Sequence, residues 1–277
     1  MRGLVAEGLS VRLLSRSIRG DMDTVVCDLG TDPIPVDTFR AVNIVYHLAA
    51  HTHDLRDASK LEDAYRSLNV DATMRLAEAA ARAGVQRFVF ISSVKAGGLS
   101  GDELRTGERE APQPDGVYGR TKREAELKLL ALGESSGMEV TVVRPCLVYG
   151  PGVKGNLRSM LNGIEQGWLP PLPEVHNRRS LIHVDDLVRA LLFLTDHAEA
   201  DGQIFIATGG RDYSTHDVYR TLCEVAGKPV PRWVVPRFIF DIAARLHPRV
   251  AEKVSKLFGD AQYSSAKLES LGFKAQR

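Results

Sequence analysis

Short apolar runs recurring between longer stretches of helical period constrain the fold of this chain most strongly. Val11–Leu14, Thr24–Cys27, Asn43–Ala49, Arg87–Ser92, Val140–Arg144 and Gln203–Ala207 read as strands. Leu61–Ala83, Val117–Leu132 and Val184–Thr195 read as helices, the first closed by Gly84. The runs NIVYHLA and RFVFIS are nearly all apolar, as parallel strands covered on both faces require. The alternation predicts an α/β fold built on a doubly wound, Rossmann-like parallel sheet. With 277 residues the chain is long enough for a sizeable core.

The texture changes after Pro145, and Tyr149–Pro173 is rich in Gly and Pro. We expect residues 1–151 to form a dinucleotide-binding domain, with 180–208 returning to it. Residues 152–179 and 209–277 would form a smaller, mostly helical substrate portion. Phe238–Leu246 is amphipathic and is expected to pack on the core or on a partner rather than on a membrane.

The beginning of the chain conflicts with this plan. A dinucleotide fold opens with a strand and a Gly-rich turn whose backbone amides meet a pyrophosphate. Gly3 and Gly8 lack that spacing, and Met1–Leu9 reads as the second half of a first helix. The absent strand would lie mid-sheet. A truncated or misassigned start is the favoured expectation, ahead of natural loss.

Composition excludes several classes. Formal net charge is +1, so no global field favours nucleic acid or an anionic membrane. Cys27, Cys146 and Cys223 form no CxxC pair and suit reduced, buried thiols in a cytoplasmic protein. No run is long enough to cross a bilayer, and no signal peptide is visible. His51 and His53 lack further metal ligands, so no metal is expected. His183 is expected to pack, and Asp185 and Asp186 to cap a helix.

Tyr118 and Lys122 are four apart on an expected helix and so share one face. A phenol is a poor base at neutral pH, and a nearby ammonium would lower its pKa. Tyr118 could then exchange a proton with an alcohol or ketone, with Ser93 orienting the substrate oxygen. The same spacing recurs at Tyr263 and Lys267. That copy lacks a strand ending in serine before it and is expected to be structural.

The ordered set His47-Leu-Ala-Ala50, Asn69-Val70, Phe88–Ser93, Tyr118-Gly-Arg-Thr-Lys122, Arg144-Pro145, Val148–Gly152 and Arg179–Val184 resembles the NAD-dependent epimerase/dehydratase family of extended short-chain dehydrogenase/reductases. The resemblance implies Ser93, Tyr118 and Lys122 as catalytic residues, with Lys122 and Tyr118 also on the cofactor side. It implies Asp28 and Leu29 near the adenine, and Leu48, Ala49, Ala50, Asn69, Ser92 and Pro145 lining the cofactor. Asn156 and Arg179, with Ser93, would bind a nucleoside-diphosphate sugar, with UDP favoured; a guanidinium fork suits a diphosphate. Ser15-Arg16 stands where an acidic residue would select NAD, so NADP is slightly favoured over NAD. A homodimer is compatible with the family's habit.

Val94-Lys95 after Ser93 disfavours the dehydratase branch, and Leu147 removes one epimerase contact. The remaining expectation is epimerisation or 4-keto reduction at sugar C4, in surface-polysaccharide synthesis. The rivals are a non-catalytic sensor on the same fold and a reductase of a non-sugar ketone.

Overall fold

The structure is a computed structural model. It describes residues 5, 8–52, 62–98, 105–108 and 113–277, apart from the side chains of residues 248, 249, 252 and 253. Gly3, His53 and Leu61 lie outside the described residues.

Four strands form one parallel sheet in the order β3-β4-β5-β8, with β3 at Ile44–His47, β4 at Arg87–Ile91, β5 at Glu139–Pro145 and β8 at Gln203–Ala207. Side chains alternate across it. Phe88 and Phe90 face a cluster with Leu76, Ala80, Ala125 and Leu129 from α2 (Ala72–Arg82) and α3 (Gly116–Ser136). Val89 and Val143 face another, with Leu187, Ala190, Leu191 and Leu194 of α5 (Val184–Thr195). Helices on both faces are what a doubly wound sheet requires, and each fully buried Phe or Leu stabilises it by about 1.5–3 kcal/mol.

The remaining N-terminal strands, β1 (Leu13–Ser15) and β2 (Thr24–Val26), pair in parallel with each other but not with β3. Among the described residues the ladder is therefore interrupted between β1 and β3. Side chains hold the two sheets together instead. Arg12 donates to the Asp37 and Arg40 carbonyls at 3.1 and 2.8 Å, and Arg75 to the Leu29 carbonyl at 2.6 Å. β3, expected to be buried, is an edge strand whose Ile44 is 37% exposed, because no described strand covers its outer side.

The expected helix over 61–83 is broken into α1 (Glu62–Arg66), a wide π-type turn at Ser67–Asp71, and α2. Gly84 closes it with φ of 78°, and Val85 N–H returns to the Ala80 carbonyl.

Beyond Pro145 a small second sheet joins β6 (Leu147–Tyr149) in parallel to β7 (Arg179–His183), which pairs antiparallel with β9 (Asp212–Tyr213). Strands this short show too little of a two-residue period to be read from sequence. Helices α4 (Gly155–Glu165), α6 (Thr215–Val225), α7 (Arg237–Leu246), α8 (Pro248–Phe258) and α9 (Ala266–Ser270) complete the described elements. His183 caps α5 by accepting from Asp185 N–H. Asp186 does more than charge the first turn: it is 1% exposed and accepts from the amides of Gln276 and Arg277 and from Arg189. Cys27, Cys146 and Cys223 are free and buried. No helix among the described residues is long and apolar enough to cross a membrane.

Candidate active site

The carboxyl ends of β3, β4 and β5 lie side by side, where open α/β sheets bind ligands. After β4, Ser93 is extended and its hydroxyl accepts Lys95 N–H at 3.3 Å, starting a tight turn over Val94–Ala96. Helix α3 is pressed against this turn. A Cβ at Gly119 would lie 2.4 Å from the Lys95 carbonyl oxygen, so only glycine permits the approach. Asp115 N–H donates to that carbonyl at 2.8 Å, and its carboxylate pairs with Lys95 Nζ at 3.0 Å. This clamp sets the Tyr118 phenol beside the Ser93 hydroxyl.

Lys122 follows one turn later on the same face of α3. It is 1% exposed, donates from Nζ to the Ile91 carbonyl at 2.7 Å and sits 3.8 Å from the Phe90 ring centroid. Burial lowers its pKa to about 7, with the Glu126 carboxylate opposing the change. Burial likewise pushes the Tyr118 phenol up to about 12, against the Ser93 hydrogen bond. The expected lowering of the phenol by the ammonium is thus not realised here. Desolvation wins on both groups while the ammonium points at β4.

His47, beneath Lys122, is 3% exposed and bonded through Nε2 to the Thr73 hydroxyl at 2.8 Å. Burial first, and the Lys122 charge second, pull its pKa down to about 3. The folded imidazole therefore stays neutral between about pH 6.5 and 3, where the unfolded one binds a proton. Stability at His47 is present above pH 6.5 and lost as pH falls toward 3. Thermal unfolding followed across this range should show a shallower acid decline in His47→Gln than in the parent.

Asn69, in the π-type turn, is fully buried. Its amide accepts His51 N–H at 2.7 Å and donates to the His51 carbonyl at 3.2 Å and the Thr121 hydroxyl at 3.1 Å. The side chain expected on the cofactor side ties the loop after β3 to α3. Tyr65 and His51 complete the wall, with the Tyr65 ring 6.5 Å from Tyr118 and 4.6 Å from His51.

Beneath Lys122 lies a buried ion pair that the sequence reading missed. Arg144 of β5 donates from Nε and Nη2 to the two Glu126 oxygens at 2.9 and 2.6 Å, with both side chains 0% exposed. Ser92, expected on the cofactor side, donates to the same carboxylate at 2.5 Å. Gly97 leaves room for the guanidinium, since a Cβ there would lie 2.7 Å from Nη1. The signal was present: Glu126 is four residues past Lys122, and Arg144 interrupts an apolar strand.

The other expected residues are more dispersed. Leu48 is 66% exposed and Ala49 is exposed at the end of β3, whereas Ala50 is half-buried. Pro145 is buried opposite Ala207. Asp28 forms a turn, accepting Gly30 N–H at 2.9 Å, and Leu29 is packed against α2. Ser15 ends β1, and Arg16 is exposed after it. Asn156 is exposed in the first turn of α4. Arg179 donates from Nη1 to the carbonyls of Lys256 and Gly259 at the end of α8. Tyr263 is a core residue, and Lys267 donates to Gln203 and Ile204, so the second Tyr-x-x-x-Lys copy is structural.

The family model described as the NAD dependent epimerase/dehydratase family matches residues 2–207. The chain belongs to this family of enzymes. It is 37% identical over 238 residues to a UDP-glucose 4-epimerase of Vibrio cholerae, covering 83% of this chain and 71% of the relative. It is 27% identical over 285 residues to a 3 beta-hydroxysteroid dehydrogenase/Delta 5-->4-isomerase of Mycobacterium tuberculosis, covering 93% and 74%. Among solved structures, MoeE5 in complex with UDP-glucose and NAD superposes with a TM-score of 0.78 at 25% identity, covering 100% of this chain and 88% of that one.

The family implies a nicotinamide dinucleotide. The nicotinamide side fits the residues present: Lys122 is a buried amine that uses one donor on the Ile91 carbonyl, next to a hydroxyl and a phenol, under the exposed ends of the strands. The described residues supply no Gly-rich turn for a pyrophosphate.

Proposed function

We propose that the chain interconverts C4 epimers of a UDP-sugar, with NAD(P) as cofactor, for surface-polysaccharide synthesis. The Tyr118 phenol set beside the Ser93 hydroxyl, with Lys122 one turn away, carries this reading. The 37% identity to a UDP-glucose 4-epimerase favours epimerisation over one-way reduction. The cofactor, when bound, exchanges the hydride with C4.

The chain's own groups handle the proton and the pose. Ser93 orients the C4 oxygen, and Tyr118 takes the proton as the alcohol is oxidised and returns it as the ketone is reduced. A phenol at about 12 is protonated at neutral pH and is ready for the reducing direction. Oxidation needs the phenolate, which a Lys122 ammonium turned from the Ile91 carbonyl toward Tyr118 would stabilise. Lys122 would hold the ribose hydroxyls, and Leu48, Ala49, Ala50 and Pro145 would line the ring. Residues 152–179 and 209–277 would supply the sugar-nucleotide side. There Arg179, using only Nη1 on α8, keeps donors for a diphosphate, with Asn156 near it in role.

Arg16 stands exposed after β1, where a guanidinium suits a 2′-phosphate; NADP is the form we favour. Arg16→Ala should then weaken NADP about tenfold, the worth of one charge-assisted hydrogen bond, and leave NAD unchanged. Titration of both dinucleotides by fluorescence checks this.

The deciding experiment incubates the protein with UDP-glucose and NAD or NADP and reads the sugar by proton NMR. Formation of UDP-galactose supports the proposal. Turnover of a steroid alcohol with no action on any UDP-sugar would replace it by a hydroxysteroid dehydrogenase reading, which the second relative favours.

A further inference from the structure

Lys95 ties the two sides of the active site together through three of its own atoms. Its backbone N–H donates to the Ser93 hydroxyl at 3.3 Å, its carbonyl accepts from Asp115 N–H at 2.8 Å, and its Nζ pairs with the Asp115 carboxylate at 3.0 Å. Asp115 immediately precedes α3, and Tyr118 is the third residue of that helix. The backbones are close as well. Gly98 follows the same turn, and a Cβ there would overlap the Gln113 carbonyl. A single backbone hydrogen bond is a pivot about which a helix end can swing. The ion pair adds a second point between the same two residues, and two points fix how the first turn of α3 faces Ser93.

Asp115 departs from a local preference to do this. It stands at the N-cap of α3 with φ of −83° and ψ of 107°, where an aspartate ordinarily accepts from an amide of the first helical turn. Its side chain makes no such bond. Ser214 and His183, by contrast, cap α6 and α5 with their side chains. The Asp115 carboxylate reaches across to Lys95 instead, and the two side chains are 60 and 42% exposed. An ion pair that exposed stabilises a fold little, whereas a helix cap is a dependable gain. Stability by itself would favour the cap. A preference set aside without a gain in stability is expected where function requires it.

We propose that Lys95 and Asp115 are positioning residues, whose pair holds the first turn of α3 at the angle that keeps the Tyr118 phenol beside the Ser93 hydroxyl and on the reacting oxygen. Neither touches the reacting atoms. The proposal rests on the proton-transfer role given to Tyr118 and not on the identity of the sugar, since a UDP-sugar and a steroid alcohol would meet the same phenol.

The test measures kcat, KM and melting temperature for Lys95→Met, Asp115→Ser, the double variant and Lys95→Arg, with whichever alcohol the parent turns over. Lys95→Met should lower kcat about tenfold to a hundredfold, the range for a displacement of up to about 1 Å, and leave KM within about twofold. Asp115→Ser should match it, because serine caps a helix but offers Lys95 no charge. The double variant should be no slower than either single one, as coupled partners require. Lys95→Arg keeps the pair and should keep most of the parental kcat. Salt at about 0.5 M screens a half-exposed pair, so it should slow the parent and leave Lys95→Met unaffected. Melting separates positioning from support. In Lys95→Met the freed carboxylate is available to cap α3, so the melting temperature should hold or rise by about 2 °C. A fall of several degrees in that variant makes the pair a structural tie and overturns the proposal. So does parental kcat in both single variants, or a raised KM with unchanged kcat in Lys95→Met, which would put the ammonium on the substrate. Turnover of a steroid alcohol alone removes the sugar reading and leaves this one standing; a parent that turns over no alcohol overturns both.

Discussion

Tyr118→Phe should lower epimerase turnover by about 10²–10⁴-fold, the range for losing a positioned proton donor and acceptor. The fold should survive. The ring stays in place, and the loss is a single hydroxyl facing Ser93, worth at most about 1 kcal/mol. UDP-sugar affinity should change little, because the hydroxyl acts on the reacting oxygen rather than on the diphosphate. The matched variant, Tyr263→Phe, changes the other Tyr-x-x-x-Lys copy and should retain turnover within a few-fold. NMR turnover, UDP titration and thermal melts on the two variants separate chemistry from stability. A Tyr118→Phe protein with parental turnover would remove the phenol from the mechanism.

The second large effect concerns stability. Glu126→Gln leaves the Arg144 guanidinium buried at 0% exposure with no countercharge, which should cost about 3–5 kcal/mol. For a chain of this size that is a drop in melting temperature of roughly 10 °C. Replacing both partners by apolar side chains, Glu126→Leu with Arg144→Met, should recover most of the loss, because neither charge is then stranded. The cycle of single and double variants measures the coupling directly. Equal melting temperatures for the parent and Glu126→Gln would mean that the buried pair contributes nothing. The pair joins α3 to β5 and takes the Ser92 hydroxyl.

The layered fold was legible in the sequence because each layer has its own period. NIVYHLA, RFVFIS and VTVVR have no polar face and had to lie between two helical layers. Four-residue spacing put Tyr118 and Lys122 on one face, and the serine ending β4 marked the third member. Pieces with short-range signals too weak to read were missed: β6, β7 and β9, and the π-type turn inside the first helix. The expected burial of β3 failed for a different reason, since an edge and a centre strand have the same composition and differ only in their neighbours.

The local pattern of the chain alone determined the class of fold, the face of α3 that Tyr118 and Lys122 share, and the family. Only the tertiary structure decided where charges and hydroxyls point. It turned Ser92 and Asn69 inward, drew the Lys122 ammonium onto the Ile91 carbonyl, set Arg179 against the end of α8, and left one side of α7 uncovered. The physical reason is that periodicity encodes which face is buried. The state of a titrating or hydrogen-bonding group depends on partners tens of residues away, and on the water that their packing excludes.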